Sequence, residues 1–194
     1  MDRFLIAPIV ALVPMCLAQA GVAADNELYD TPPPDDAAFI RWIEDDVAPE
    51  ILGVRSLGKE GDVFHPVSAA LSDGARAGAY YTAAVDASGH VVLIEEPARS
   101  DKSKVLVTLV NLSDASVRLV LTEQNVDVIG TTEKNQSGGR AVNPAAATLS
   151  VVAGQGDVLG TFDVQLRRGQ NVTFVARPEQ VELIENRFGS NLEG

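Results

Sequence analysis

From position 39 onward the chain is a series of short apolar runs, most of them alternating with polar residues. The clearest are FIRWI (39–43), AYYTAAV (79–85), HVVLIE (90–95), KVLVTLVN (104–111) and SVRLVL (116–121). Then follow ATLSVV (147–152), TFDVQL (161–166), NVTFVA (171–176) and QVELIE (180–185). Alternation of this kind predicts half-buried strands, because successive side chains on a strand point to opposite faces. The gaps carry turn residues, as in DASG, LSDA, AGQGD and RRGQ. Many short strands spaced in this way predict a β-sandwich or a barrel. The single helical candidate, VAPEILGVRSLG (47–58), is weakened by its proline and two glycines. The predicted class is all-β.

An internal echo divides the chain. VVLIEE (91–96) recurs as VELIEN (181–186), 90 positions later. A related strand precedes each copy, YYTAAV in one case and NVTFVA in the other, and each half opens on a run of the type FIRWIEDD or VLVTLVNLSD. The same order in both halves predicts two related β-domains. The boundary falls in EEPARSDKS, where Pro97 cannot donate to a strand ladder and polar residues follow. The organisation read from this is a lead-in at 25–37, a first domain at 38–96 and a linker at 97–103. A second domain at 104–188 and a tail at 189–194 complete it.

The first residues belong to a different kind of segment. Met1-Asp2-Arg3 precedes the apolar stretch FLIAPIVALVPMCL, and AQAGVAAD offers cleavage after Ala20 or Ala24. This predicts a secretory signal peptide over 1–24. Cys16 is not in a lipoprotein context, since Met15 stands where a small residue is needed. Cleavage would remove the only cysteine, so the mature chain is expected to rely on core burial without disulfides. No later apolar run is long enough to span a bilayer. The expected location is the periplasm.

Charge narrows the partners. The formal net charge is −12. Residues 25–96 hold 15 acidic and 4 basic side chains, against 11 and 10 in residues 97–194. Such a chain offers no basic stripe for nucleic acid or anionic lipid, and long polyanions should be repelled. Its acidic half suits a basic protein surface.

Few motifs suggest catalysis. Asp62-x-x-His65 in GDVFHP has the spacing of the Asp/His pair in SGNH-type hydrolases, but the Gly-Asp-Ser block and the helix-rich scaffold of those enzymes are missing. His90 follows a turn and is expected to be exposed. The acidic pairs Asp35-Asp36 and Glu95-Glu96 and the triplet Glu44-Asp45-Asp46 lack calcium-loop spacing. Asn111, Asn135 and Asn171 open glycosylation sequons by pattern alone. SGGRAVNP (137–144) reads as a turn followed by an extended segment. Trp42, Tyr80 and Tyr81 could stack on sugar rings, although aromatics in β-proteins usually serve the core.

An ordered set of short motifs carries a family likeness: LYD (28–30), AFIR (38–41), YYT (80–82), LIEEP (93–97), KVLVTLVNLSD (104–114), VNP (142–144) and RRG (167–169). In this order the chain resembles AlgF, the periplasmic accessory family of bacterial alginate O-acetylation. The resemblance implies two β-sandwich domains in tandem, joined by a short linker. It also implies a machine in which a membrane-bound acyltransferase supplies acetyl and an SGNH-type protein transfers it. The expected role is therefore a non-catalytic adaptor, without cofactor or metal, that is not itself membrane-spanning. Its expected partners are the periplasmic acetyltransferase and the inner-membrane acyltransferase, with weak or no direct polysaccharide binding. Trp42, Glu44, Asp45 and Asp46 are the candidate partner contacts. The alternative is a carbohydrate-binding module using Trp42, Tyr80 and Tyr81.

Overall fold

The computed structural model describes residues 33–188, except 34, 54–56, 58–59, 71, 73, 99–100 and 155. The expected signal peptide, most of the lead-in and the tail at 189–194 lie outside the described residues. Thirteen strands and no helix occur among them, so the all-β class holds. The strands are β1 (Ala37–Trp42), β2 (Val63–Ser68), β3 (Tyr80–Val85), β4 (Val91–Glu96), β5 (Val105–Asn111), β6 (Val117–Leu121) and β7 (Val126–Thr132). They continue as β8 (Gln136–Val142), β9 (Ala146–Ala153), β10 (Asp157–Gln165), β11 (Asn171–Ala176), β12 (Val181–Glu185) and β13 (Arg187–Phe188).

All nine runs picked out by alternation are strands. The four additional ones contain residues that mask the pattern or, for β13, are too short to show it. β2 includes Pro66, which lies beyond the two residues, Val63 and Phe64, that pair with β13 among the described residues, and proline is tolerated where a strand position makes no ladder bond on its outer side. SGGRAV is not a turn but most of β8. Its glycines are required by close approach: a Cβ at Gly139 would lie 2.8 Å from Cγ of Pro97, and one at Gly138 would lie 2.7 Å from Cγ2 of Ile129. Low strand propensity is outweighed there by contacts from elsewhere in the chain.

Three sheets form, in the orders β13-β2-β1-β3-β4, β12-β11-β5-β8 and β10-β9-β6-β7. The first two share one plan. In each, the opening strand (β1 or β5) pairs parallel to a later strand (β3 or β11), which pairs antiparallel to the closing strand (β4 or β12). An antiparallel strand (β2 or β8) flanks the opening strand on its other side. The sequence echo is thus a structural repeat. Its registers match Arg41 with Thr82 in one sheet and Thr108 with Thr173 in the other.

The second and third sheets enclose an apolar core containing Val107, Leu109, Leu119, Val151 and Phe174. The first sheet buries Ile40, Trp42 and Tyr81 on one face, beneath an irregular segment that contributes Ala48, Ile51 and Leu57. Its other face carries Ile43, Ala84 and Ile94, which pack on Val110, Leu112, Val175 and Ile184 of the second sheet. Every residue of β5 is consequently buried, one face toward each neighbouring layer. The two echoed sheets meet through corresponding faces. The stretch expected as a linker lies between β4 and β5, with Pro97 seated against β8.

Candidate functional site

The seam between the echoed sheets has three zones. At one end is the apolar patch of Ile43, Ala84 and Ile94 against Val110, Val175 and Ile184. In the middle lies a buried polar network. The Arg41 guanidinium donates from Nε to Thr82 Oγ1 (2.8 Å), from Nη1 to Asn186 Oδ1 (2.6 Å) and from Nη2 to Glu96 Oε1 (2.6 Å). Thr82 also donates to Glu96 (2.5 Å), and Asn186 donates to Thr173 across the second sheet (3.0 Å). The Arg41 and Glu96 side chains have no solvent exposure, and Arg41 lies 4.4 Å over the Phe64 ring. An isolated charge here would be very costly, so the pairing, with a hydrogen bond from each guanidinium nitrogen, allows both ions to stay buried. At the other end the seam opens into a cleft of about 430 Å³.

Further contacts tie the halves together. Asn135, in the turn after β7, donates to Asp86 (3.2 Å), and Ser137 donates to the Glu95 carbonyl (2.6 Å). Asp86 is held below the usual carboxylate range by N–H donation from His90, then by Asn135. In the NLSD turn, buried Asn111 donates to the carbonyls of Ala115 and Thr132 and accepts from the amide and hydroxyl of Ser113. Its amide is a structural clasp, inaccessible to a glycan.

The residues proposed from sequence fall into different places. Trp42 is 1% exposed and its indole N–H donates to the backbone and side-chain oxygens of Asp46 (3.1 and 3.2 Å). Its ring is core, and the surface of this stretch is formed by Asp45, Asp46 and Val47. Glu44 is half-buried, accepting from the Val85 amide (2.9 Å) and Arg177 (3.1 Å). Tyr81 is buried, while Tyr80 reaches the cleft, so the three rings do not make one sugar-stacking platform. Asp62 is occupied by Arg187 through hydrogen bonds of 2.5 and 3.0 Å. That hydrogen bonding lowers its pKa. His65 lies three residues on, within β2, whereas Asp62 belongs to the turn before that strand.

Glu44 and Asp45 share a groove of about 390 Å³ with Asp62, Glu182 and Glu185. Both halves therefore build its acidic walls. Arg177, Arg187 and Arg167 pair with Glu44, Asp62 and Glu185 respectively. Sequence reasoning missed Arg41 and Glu96 as a buried pair. Their positions within apolar strands were the available signal, since an inward charge demands a partner.

Fold and surfaces define an all-β protein with an acidic groove and an apolar cleft on one seam. The family model described as "Alginate O-acetyl transferase AlgF" matches residues 68–173, just over half of the chain. The chain belongs to the AlgF family. It is 36% identical over 91 residues to "Alginate biosynthesis protein AlgF" of Pseudomonas syringae pv. tomato, covering 47% of this chain and 41% of that relative. The protein of the same name from Azotobacter vinelandii is 32% identical over 93 residues, covering 48% and 43%. The matches thus span about two-fifths of these relatives' own length. Among solved structures, the C-terminal domain of AlgF from P. aeruginosa aligns over 43% of this chain and 96% of that domain, at 24% identity and a TM-score of 0.35.

Proposed function

We propose that the protein is a non-catalytic periplasmic adaptor that couples acetyltransferase partners during O-acetylation of alginate or a related exopolysaccharide. The observation carrying this reading is the acidic groove, whose walls come from both echoed halves. A basic surface of a partner acetyltransferase would meet Asp45 and Glu182 there, with Asp46 at the adjoining loop. Charge of this kind steers association and fixes partner choice more than it adds raw affinity. The engagement of Asp62 by Arg187 favours an accessory role over hydrolase-type chemistry at Asp62 and His65.

The test uses the mature chain, 25–194. It should co-purify with the acetyltransferase and membrane acyltransferase of its host and show no turnover of acetyl esters. Asp45→Lys with Glu182→Lys should abolish co-purification while changing stability by no more than about 0.5 kcal/mol, as expected of surface substitutions. Esterase turnover abolished by His65→Ala in a folded protein would overturn the adaptor reading.

A further inference from the structure

The second groove on the seam has the opposite character. Phe39 lines the cleft and Ile43 lines the acidic groove, so four residues along the same strand direction separate them by about 13 Å. The cleft floor is apolar, made by Phe39, Tyr80, Pro97, Leu106 and the exposed ring of Phe188. Lys102, Lys104 and Arg140 stand around it, and among the described residues lining it the one carboxylate is Asp101. Asp101 accepts from the amide and hydroxyl of Ser103 (2.9 and 2.6 Å). Lys104 donates to Asn143, and Arg140 donates to the carbonyls of Asp127 and Val128. None of the three cations forms an ion pair among the described residues. In a chain of net charge −12, this is a local inversion beside an apolar hollow.

We infer that the cleft binds a short acidic segment of a partner protein, with one or two apolar side chains in the hollow and flanking carboxylates on Lys102, Lys104 and Arg140. The inference rests on the adaptor reading and assigns the protein a second, chemically distinct contact. Charge complementarity selects an anionic occupant, and the apolar floor selects one with a greasy centre. A uronate polymer fits less well. It brings a carboxylate on every ring to a protein whose wider surface is negative, and Phe39 and Tyr80 use a ring face each on one another (4.7 Å between centroids, 9° between planes). A short peptide meets mainly the local cations, since charges beyond roughly 8–10 Å are screened.

The experiment measures fluorescence anisotropy of a labelled peptide, acetyl-Asp-Asp-Leu-Phe-Asp-Asp-amide, titrated with the mature chain at low and high salt. Saturable binding that weakens with salt is expected. Replacing the central Leu-Phe by Gly-Gly should weaken it about tenfold or more, the loss expected for withdrawing large apolar side chains from burial. Lys102→Glu with Arg140→Glu should weaken it at least about tenfold. If that double variant does not melt like the parent, Lys102→Glu alone is used, and a severalfold loss is expected. The proposal is overturned by no binding, by equal binding of the Gly-Gly peptide, by unchanged binding in the folded variants, or by tighter binding of a mannuronate oligomer. Co-purification of the acetyltransferase separates the two readings. If the peptide result fails while co-purification persists, only the cleft proposal falls. If co-purification itself fails, the adaptor reading falls.

Discussion

The two echoed sheets share a strand plan but are covered differently. Between β5 and β11, residues 112–170 supply β8 and the four strands of a further sheet, which gives the second sheet an apolar core. Between β1 and β3, the described residues of 43–79 supply β2 and an irregular cover, so the first sheet buries one face under loop. Its other face depends on the second sheet, through an apolar patch and the Arg41–Glu96 network. One half brings its own core, whereas the other completes its burial at the seam. That seam also creates both candidate contact surfaces, so loss of docking between the halves would disturb both proposed contacts.

The largest effects should come from attacking the two kinds of core separately. Arg41→Ala leaves Glu96 buried without its counter-ion and should cost about 3–5 kcal/mol in urea unfolding. Arg41→Met with Glu96→Leu should recover most of this, because replacing both buried ions by apolar groups is often neutral. If Arg41→Ala alone proves as stable as the parent, the network does not hold the seam. Phe174→Ala, inside the sandwich, should cost a similar ~3–5 kcal/mol. Hydrogen exchange should then separate them: Arg41→Ala should expose amides of β1 and β3 before those of β6 and β9. Phe174→Ala should loosen both groups together, as expected if the first sheet leans on the second.

A smaller effect is expected at Gly139→Val, whose side chain would meet the Pro97 ring. A loss of about 1–3 kcal/mol, relieved in part by Pro97→Ala, would mark overpacking between the linker and β8. The smallest is a pH effect. The folded pKa of Asp62 is depressed below its ordinary 3.8, chiefly by hydrogen bonding to Arg187. Its contribution is therefore complete above the ordinary value and lost as pH falls through the lower folded one. Because Arg187 and Asp62 are 60% and 35% exposed, solvent screening limits this to less than about 1 kcal/mol. NMR signals of β13 should shift on acidification below about pH 4, and Asp62→Asn should remove the shift.

Alternation alone located the nine runs of regular pattern, because period two is a local property of an extended chain. The echo of VVLIEE in VELIEN was equally legible, and it anticipated the shared order of β1, β3, β4 and β5, β11, β12. Net charge pointed to an acidic surface, and Asp45 and Asp46 are exposed. Local pattern was blind where distant contacts overrode it. Pro66 sits in a strand beyond the described β13 pairing, and Gly138 and Gly139 sit in another because side chains would not fit. It was also blind to which charges are buried. Arg41 and Glu96 read like any other ions in the sequence, and only the packing of one sheet on its echo removed them from water. Both grooves arise in the same way. Phe39 and Leu106 line one, and Glu44 and Glu182 the other, through docking of segments far apart in the chain. The sequence by itself determined where strands can form. Tertiary packing decided what they bring together, because juxtaposition across a seam is a property of two surfaces and not of either alone.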